Sequence, residues 1–133
     1  MSLKKFILID LNHDLIKTCA AALAHVEVML DEDTPGQARD KGAYVMGKLS
    51  ELKRLYPGIL ESITGKGLLI GMHFVDDEIG YKVAAGLFAR RVLTAGTLTN
   101  AKVIRFEPAL TISYEQIDEV LNRLEDTFKS IAV

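Results

Sequence analysis

Apolar positions along the chain fall into two periodicities. Four long stretches carry them at helical spacing, and shorter runs between these cluster or alternate as strands do. Phe6-Ile7-Leu8-Ile9 is a continuous apolar run of strand length, followed by Asn12-His13-Asp14, residue types that open helices. The first helix is expected to run to about Asp31, with Leu15, Cys19, Ala22, Leu23, Val26, Met29 and Leu30 on one stripe. Asp31-Glu32-Asp33 reads as a solvated turn. Thr34-Pro35-Gly36-Gln37 then starts a second helix, with an N-cap threonine, a proline at the first helical position and a glutamine at the third. That helix turns Ala38, Val45, Leu49, Leu52 and Tyr56 inward and ends at Tyr56-Pro57-Gly58.

Ile59 to Ile63 alternates as an edge strand, and Leu68 to Val75 reads as a central one. Asp76-Asp77-Glu78 starts a third helix with acids at its positive end. Ile79, Val83, Leu87 and Phe88 form its apolar face, with Arg90-Arg91 in its last turn. Val92 to Ala95 is expected as a strand, Gly96 to Asn100 as a turn and Val103 onward as another strand. Glu107-Pro108 breaks that strand, because proline lacks an N–H and biases the preceding residue to extended geometry. Leu110 and Ile112 resume an alternation. Ser113 and Gln116 have capping-box spacing, and Ile117, Val120, Leu121, Leu124, Phe128 and Ile131 stripe the last helix, with Glu119 and Arg123 paired on its outer side. Short strands in adjacent pairs imply hairpins. The expected fold is an α+β two-layer sandwich, a small mostly antiparallel sheet with helices on one face.

Composition narrows the function classes. The chain is 49% hydrophobic and 26% charged with a net charge of −2, and its basic residues are scattered. Neither a nucleic-acid footprint nor a polybasic membrane patch is present, and no apolar run approaches the roughly 18 residues of a membrane span. The expected location is cytoplasmic. The single Cys19 forms neither an internal disulfide nor a cysteine metal cluster, and its alanine-rich surroundings point to a buried thiol.

Three features invite chemistry. Gly65-Lys66-Gly67 precedes a strand where a phosphate loop would precede a helix, and no Gly-Lys-Ser/Thr follows, so it reads as a strand-to-strand turn. His73 has no second ligand at metal spacing and reads as a structural histidine. No metal site is expected. Arg105 lies at a strand end, where sites are built, and its guanidinium fork suits a carboxylate or phosphate. The local pattern leaves a second role open, an arginine covering the sheet edge or paired with a surface acid.

Five stretches carry a resemblance: Cys19-Ala20-Ala21-Ala22-Leu23-Ala24, Gly65 to Gly71, Phe74 to Tyr81, Ala95 to Lys102, and Ile104 to Thr111. Residues 19–133 resemble the C-terminal small domain of class III pyridoxal-phosphate aminotransferases, the group of ornithine, acetylornithine and putrescine enzymes. The last two stretches lean towards the putrescine branch. Residues 1–18 do not fit the family, which has a Gly-Gly-Asn-Pro-like approach where this chain has Leu11 to Ile16. The resemblance implies a pyridoxal-phosphate-transferase small-domain fold and gives Arg105 the role of gripping the carboxylate of an amino acid or oxo acid. It also implies that the Schiff-base lysine and the cofactor domain belong to parts of the family without counterpart here. No catalytic or cofactor-binding residue is therefore expected among these 133, and neither activity nor bound pyridoxal phosphate is expected of the chain alone. The uncovered helix from Ala20 to Leu30 suggests a homo-oligomer, with Phe6 to Ile9 as an added strand. The competing expectation is a stand-alone module that binds an oxo acid or another protein.

Overall fold

The computed structural model describes residues 13–97 and 100–132. They form α1 (His13–Asp31), α2 (Thr34–Leu55), β1 (Leu60–Lys66), β2 (Leu69–Phe74), α3 (Asp77–Ala89), β3 (Ala95–Thr97), β4 (Asn100–Phe106) and α4 (Tyr114–Ile131). Residues 1–34 and 35–133 are two separate compact units. The expected strand at Phe6 to Ile9 lies outside the described residues.

The second unit is built on a four-stranded sheet in the order β1-β2-β4-β3, with every pairing antiparallel. Alternation decides its two faces. Ile70, Met72 and Phe74 of β2 and Ile104 of β4 are buried, together with Val45, Leu49 and Leu52 of α2, Val83 and Leu87 of α3, and Ile117, Leu121, Leu124 and Phe128 of α4. These side chains make one core between the sheet and the three helices, the two-layer α+β arrangement expected. The ring of Phe128 sits at its centre, edge-on to Tyr56 and Phe74 at centroid distances of 5.6 and 6.3 Å.

Local chemistry explains the joints. The β1–β2 hairpin turns at Gly67, whose φ of 56° favours glycine. The same turn needs a second glycine, because a Cβ on Gly42 of α2 would overlap the Gly67 backbone. Asp76 caps α3 by accepting from the Ile79 N–H at 2.7 Å. Ser113 and Gln116 complete the expected capping box on α4. Arg123 and Glu119 form the expected i,i+4 pair.

Three expectations are corrected. Val92 to Ala95 is not a strand, since β3 begins only at Ala95. Arg91 takes the left-handed conformation (φ 61°), the Arg91 N–H bonds the Phe88 carbonyl and the Val92 N–H bonds the Leu87 carbonyl, both at 2.9 Å. That is a Schellman ending with arginine where glycine is usual, and it turns residues 92–94 away from strand geometry. Arg90 lies at the C-cap of α3, and its guanidinium donates to the Gly86 and Asp126 carbonyls. The expected turn at Gly96 to Asn100 is shorter: Gly96 and Thr97 belong to β3 and Asn100 opens β4.

In the first unit, α1 has the expected length, but its stripe is not core. Of that stripe, Cys19, Ala22, Leu23, Val26 and Leu30 are exposed, and Met29 is half-buried. The buried thiol expected of Cys19 is thus an exposed one. Helical spacing shows which residues share a face; it does not say what covers that face. Among the described residues no helix is long and apolar enough to cross a membrane.

Candidate functional site

β4 delivers the site. Ile104 points into the core, so Arg105 emerges on the opposite side of the strand, in register with Gly71 of β2 and Ala95 of β3. Gly71 presents no side chain beside it. The Arg105 side chain is 44% exposed, and its Nη2 lies 3.5 Å from Glu107 Oε1. At that distance the pair is a loose ion pair, open to exchange with another carboxylate. Arg105 thus meets a surface acid, and it is also among the residues that line a cleft.

The cleft, about 360 Å³, opens where β4 ends. Its walls are the 92–94 segment on one side and Phe106 to Pro108 on the other, with Leu121 and Leu124 of α4 beneath. They are mainly apolar, and Arg105 is the one cation among the described residues lining them. Arg105 borders these walls at the end of the strand, on the face of β4 opposite Ile104. The far side of the 107–112 segment is held by Lys41 of α2. This lysine is buried to 8% exposure and donates from Nζ to the Leu110 carbonyl at 3.2 Å. Ile112 closes the turn through its N–H to the Ala109 carbonyl. The expected alternation through Leu110 and Ile112 is consequently a turn and not a strand.

Tyr44 of α2 ties the same helix to α4. The Tyr44 hydroxyl donates to Asp118 Oδ1 at 2.6 Å, and its ring meets Tyr114 edge-on at 5.3 Å. The bond to the Asp118 carboxylate holds the phenol above its ordinary range, with partial burial adding to the effect.

The other sequence candidates fall away from the cleft. His73 Nε2 bonds Thr64 Oγ1 at 2.9 Å across β1 and β2, a satisfied histidine on the sheet face away from the helices. Lys66 ends β1, and Gly67 turns the hairpin, as the strand-to-strand reading requires. Among the described residues no cluster of three or more histidine, cysteine or acidic side chains could hold a metal.

Pyridoxal phosphate, implied by the resemblance, would need a lysine amine for its aldehyde and a cradle of donors for its phosphate. The described lining of the cleft contains no lysine. Lys41 and Lys102 donate to the Leu110 and Val75 carbonyls, and Lys82 and Lys129 pair with acids on their own helices. This donor set does not fit the cofactor. Sequence reasoning missed Glu107 as the partner of Arg105 and Lys41 as the support of the segment behind it. The two-residue spacing of Arg105 and Glu107 was a usable signal. Nothing local announces Lys41, because its acceptor lies 69 residues away.

Comparison with known proteins adds the context. The family description Aminotransferase class-III matches residues 16–128. Among solved structures, the chain is similar to a lysine aminotransferase from M. tuberculosis in the internal aldimine form, with a TM-score of 0.74, 24% identity, and coverage of 79% of this chain and 24% of that one. It is similar to an acetylornithine aminotransferase from Elizabethkingia anophelis, with a TM-score of 0.75, 24% identity, and coverage of 84% and 29%. A transaminase determined with L-ala gives a TM-score of 0.74 and 26% identity, over 85% of this chain and 28% of that one. The chain thus spans about a quarter of the length of these structures. Likeness at this identity speaks for the fold, while the family match covers most of the chain. It belongs to the class III aminotransferases, a pyridoxal-phosphate-dependent family.

Proposed function

We propose that residues 19–133 act as the C-terminal small domain of a class III aminotransferase and hold the substrate's carboxylate through Arg105. The reaction served is transfer of an amino group from an amine or amino acid, such as putrescine or ornithine, to an oxo acid such as 2-oxoglutarate. The Gly96 to Lys102 and Ile104 to Thr111 wording favours the putrescine branch. Even a diamine donor needs an oxo-acid acceptor, so a carboxylate grip is useful on either branch. One observation carries the reading: Arg105 stands half-exposed at the rim of an apolar cleft, with only a loose acid partner. A bidentate guanidinium–carboxylate pair is stronger than that contact, so a ligand acid can replace Glu107.

The bond-breaking half of the chemistry belongs elsewhere on this proposal, and these residues by themselves bind and orient without transferring the amine. The test is a ¹⁵N-resolved NMR titration of the chain with 2-oxoglutarate and, separately, with putrescine. The oxo acid should shift the Gly71, Arg105, Phe106 and Glu107 amides, and the diamine should leave them in place. Equal responses to both, or none at millimolar oxo acid, would refute it. So would amine transfer by this chain alone in the presence of pyridoxal phosphate.

A further inference from the structure

Thr64, Gly71 and Arg105 are register partners on β1, β2 and β4, so they share the sheet face turned away from the helices. His73, two residues along β2 from Gly71, lies on that face too, and its Nε2 bonds Thr64 Oγ1 at 2.9 Å. Gly71 is the gap in this row. Glycine is unfavourable inside a strand, because it loses the most chain entropy on folding and packs nothing. Its usual justifications do not hold at this position. Gly65 and Gly67 adopt positive φ, and Gly71 does not. Both ladders through it are regular, the β1–β2 irregularity falling at Leu60–Ser62. Nor does backbone crowd it: a Cβ there would meet side chains first, Thr64 Oγ1 at 3.2 Å, His73 Nε2 at 3.4 Å and Val103 Cγ1 at 3.8 Å. What glycine preserves is open floor beside a guanidinium, and the close approach of a ligand is a further reason for glycine within a strand.

The floor has two unlike sides. β1 and β4 flank β2 at about 4.8 Å each, so the Thr64 and Arg105 backbones stand about 10 Å apart with only glycine between them. On the β4 side is the Arg105 fork, loosely held by Glu107. On the β1 side is a hydroxyl–imidazole pair. With the proton on Nε2, the ring donates to the Thr64 oxygen and leaves the hydroxyl proton for a third group. The guanidinium suits a carboxylate, and the hydroxyl suits a further oxygen on the same molecule.

We propose, on the reading of Arg105 as a carboxylate grip, that Gly71 is a specificity-determining position of that site. The floor it leaves open seats the carbon chain of the oxo acid held by Arg105. The Thr64 hydroxyl, positioned by His73, donates to a second oxygen of that acid. An acid with oxygens beyond its carboxylate, such as 2-oxoglutarate, gains the Thr64 contact. Pentanoate, with as many carbons and only the one carboxylate, does not.

NMR titrations of the full chain with 2-oxoglutarate and, separately, with pentanoate test this. Thr64→Val keeps the side-chain shape and should bind 2-oxoglutarate about threefold or more weakly, with pentanoate unchanged. Gly71→Val fills the floor and should weaken both acids by about tenfold. Melting by circular dichroism separates lost binding from lost folding; if valine unsettles the sheet, Gly71→Ala is read in its place and should weaken both acids in the same direction. Arg105→Ala tells the two readings apart. If it binds 2-oxoglutarate as the unaltered chain does, the carboxylate grip itself fails. If it loses binding while Thr64→Val and a folded Gly71 variant bind like the unaltered chain, the grip stands and the role of Gly71 and Thr64 is refuted. A Thr64→Val chain that weakens both acids equally overturns the Thr64 contact.

Discussion

Phe128 and Phe88 are both helical phenylalanines at apolar-face spacing; the structure assigns them opposite energetic weights. Phe128 is fully buried and touches Tyr56 and Phe74 edge-on, whereas Phe88 is 69% exposed on α3. Replacing Phe128 by alanine removes the transfer energy of the ring and leaves a cavity, together about 3–5 kcal/mol. The two aromatic contacts contribute about 0.5–1.5 kcal/mol each, part of it already inside that figure. A domain of this size is stable by about 5–15 kcal/mol, so F128A should remove roughly a fifth or more of the total. Its melting temperature should fall by at least ~12 °C, taking about 4 °C per kcal/mol. F88A should change stability by no more than about 0.5 kcal/mol. Urea unfolding followed by far-ultraviolet circular dichroism measures both, and tyrosine emission adds a local probe because the chain has no tryptophan. If F128A costs less than about 1 kcal/mol, or F88A costs as much as F128A, the core described above is misplaced.

Three other outcomes test the joints. The folded state holds the Tyr44 phenol above its ordinary value through the bond to Asp118, so the native protein keeps that proton at pH values where the unfolded chain has lost it. Its contribution is therefore complete below pH ~10 and lost as pH rises through the folded value; Y44F should flatten that alkaline decline in a pH series of urea midpoints. Gly80→Ala gains about 0.5–1 kcal/mol of helix propensity, but its Cβ would overlap the Ala101 carbonyl, a backbone atom that cannot swing aside. Overpacking of about 1–3 kcal/mol wins, and G80A should lower the urea midpoint. Arg91→Gly relieves a left-handed non-glycine residue worth about 1–2 kcal/mol and loses part of this to chain entropy. The variant should be more stable by roughly 0.5–1 kcal/mol in the same assay.

Much of the fold was legible because local chemistry and the tertiary structure agree. The Ser113–Gln116 box, the Asp76 cap, the hairpin at Gly67 and the α4 stripe all depend on residues within a few positions of one another. What was missed depends on distance or on the absence of a neighbour. Val92 to Ala95 has strand composition, but Arg91 adopts the left-handed conformation and turns the chain at the helix end. Lys41 is buried because of a carbonyl in a distant segment. Cys19 lies in a stripe that looks like core, and its side chain is exposed. At the candidate site, the position of Arg105 at a strand end was readable from the apolar run before it and the proline after it. Its pairing with Glu107 and the cleft beside it required the 92–94 segment and α4 to be in place.

Arg105 as the grip for a carboxylate is most directly tested by measuring 2-oxoglutarate affinity, by NMR titration, for the unaltered chain, R105A and E107Q. Charge-assisted hydrogen bonds are worth about 1.5–3 kcal/mol, so R105A should bind at least about tenfold more weakly. E107Q frees the guanidinium from its own acid and should bind more tightly. An R105A protein that binds the oxo acid as well as the unaltered chain does would contradict the account.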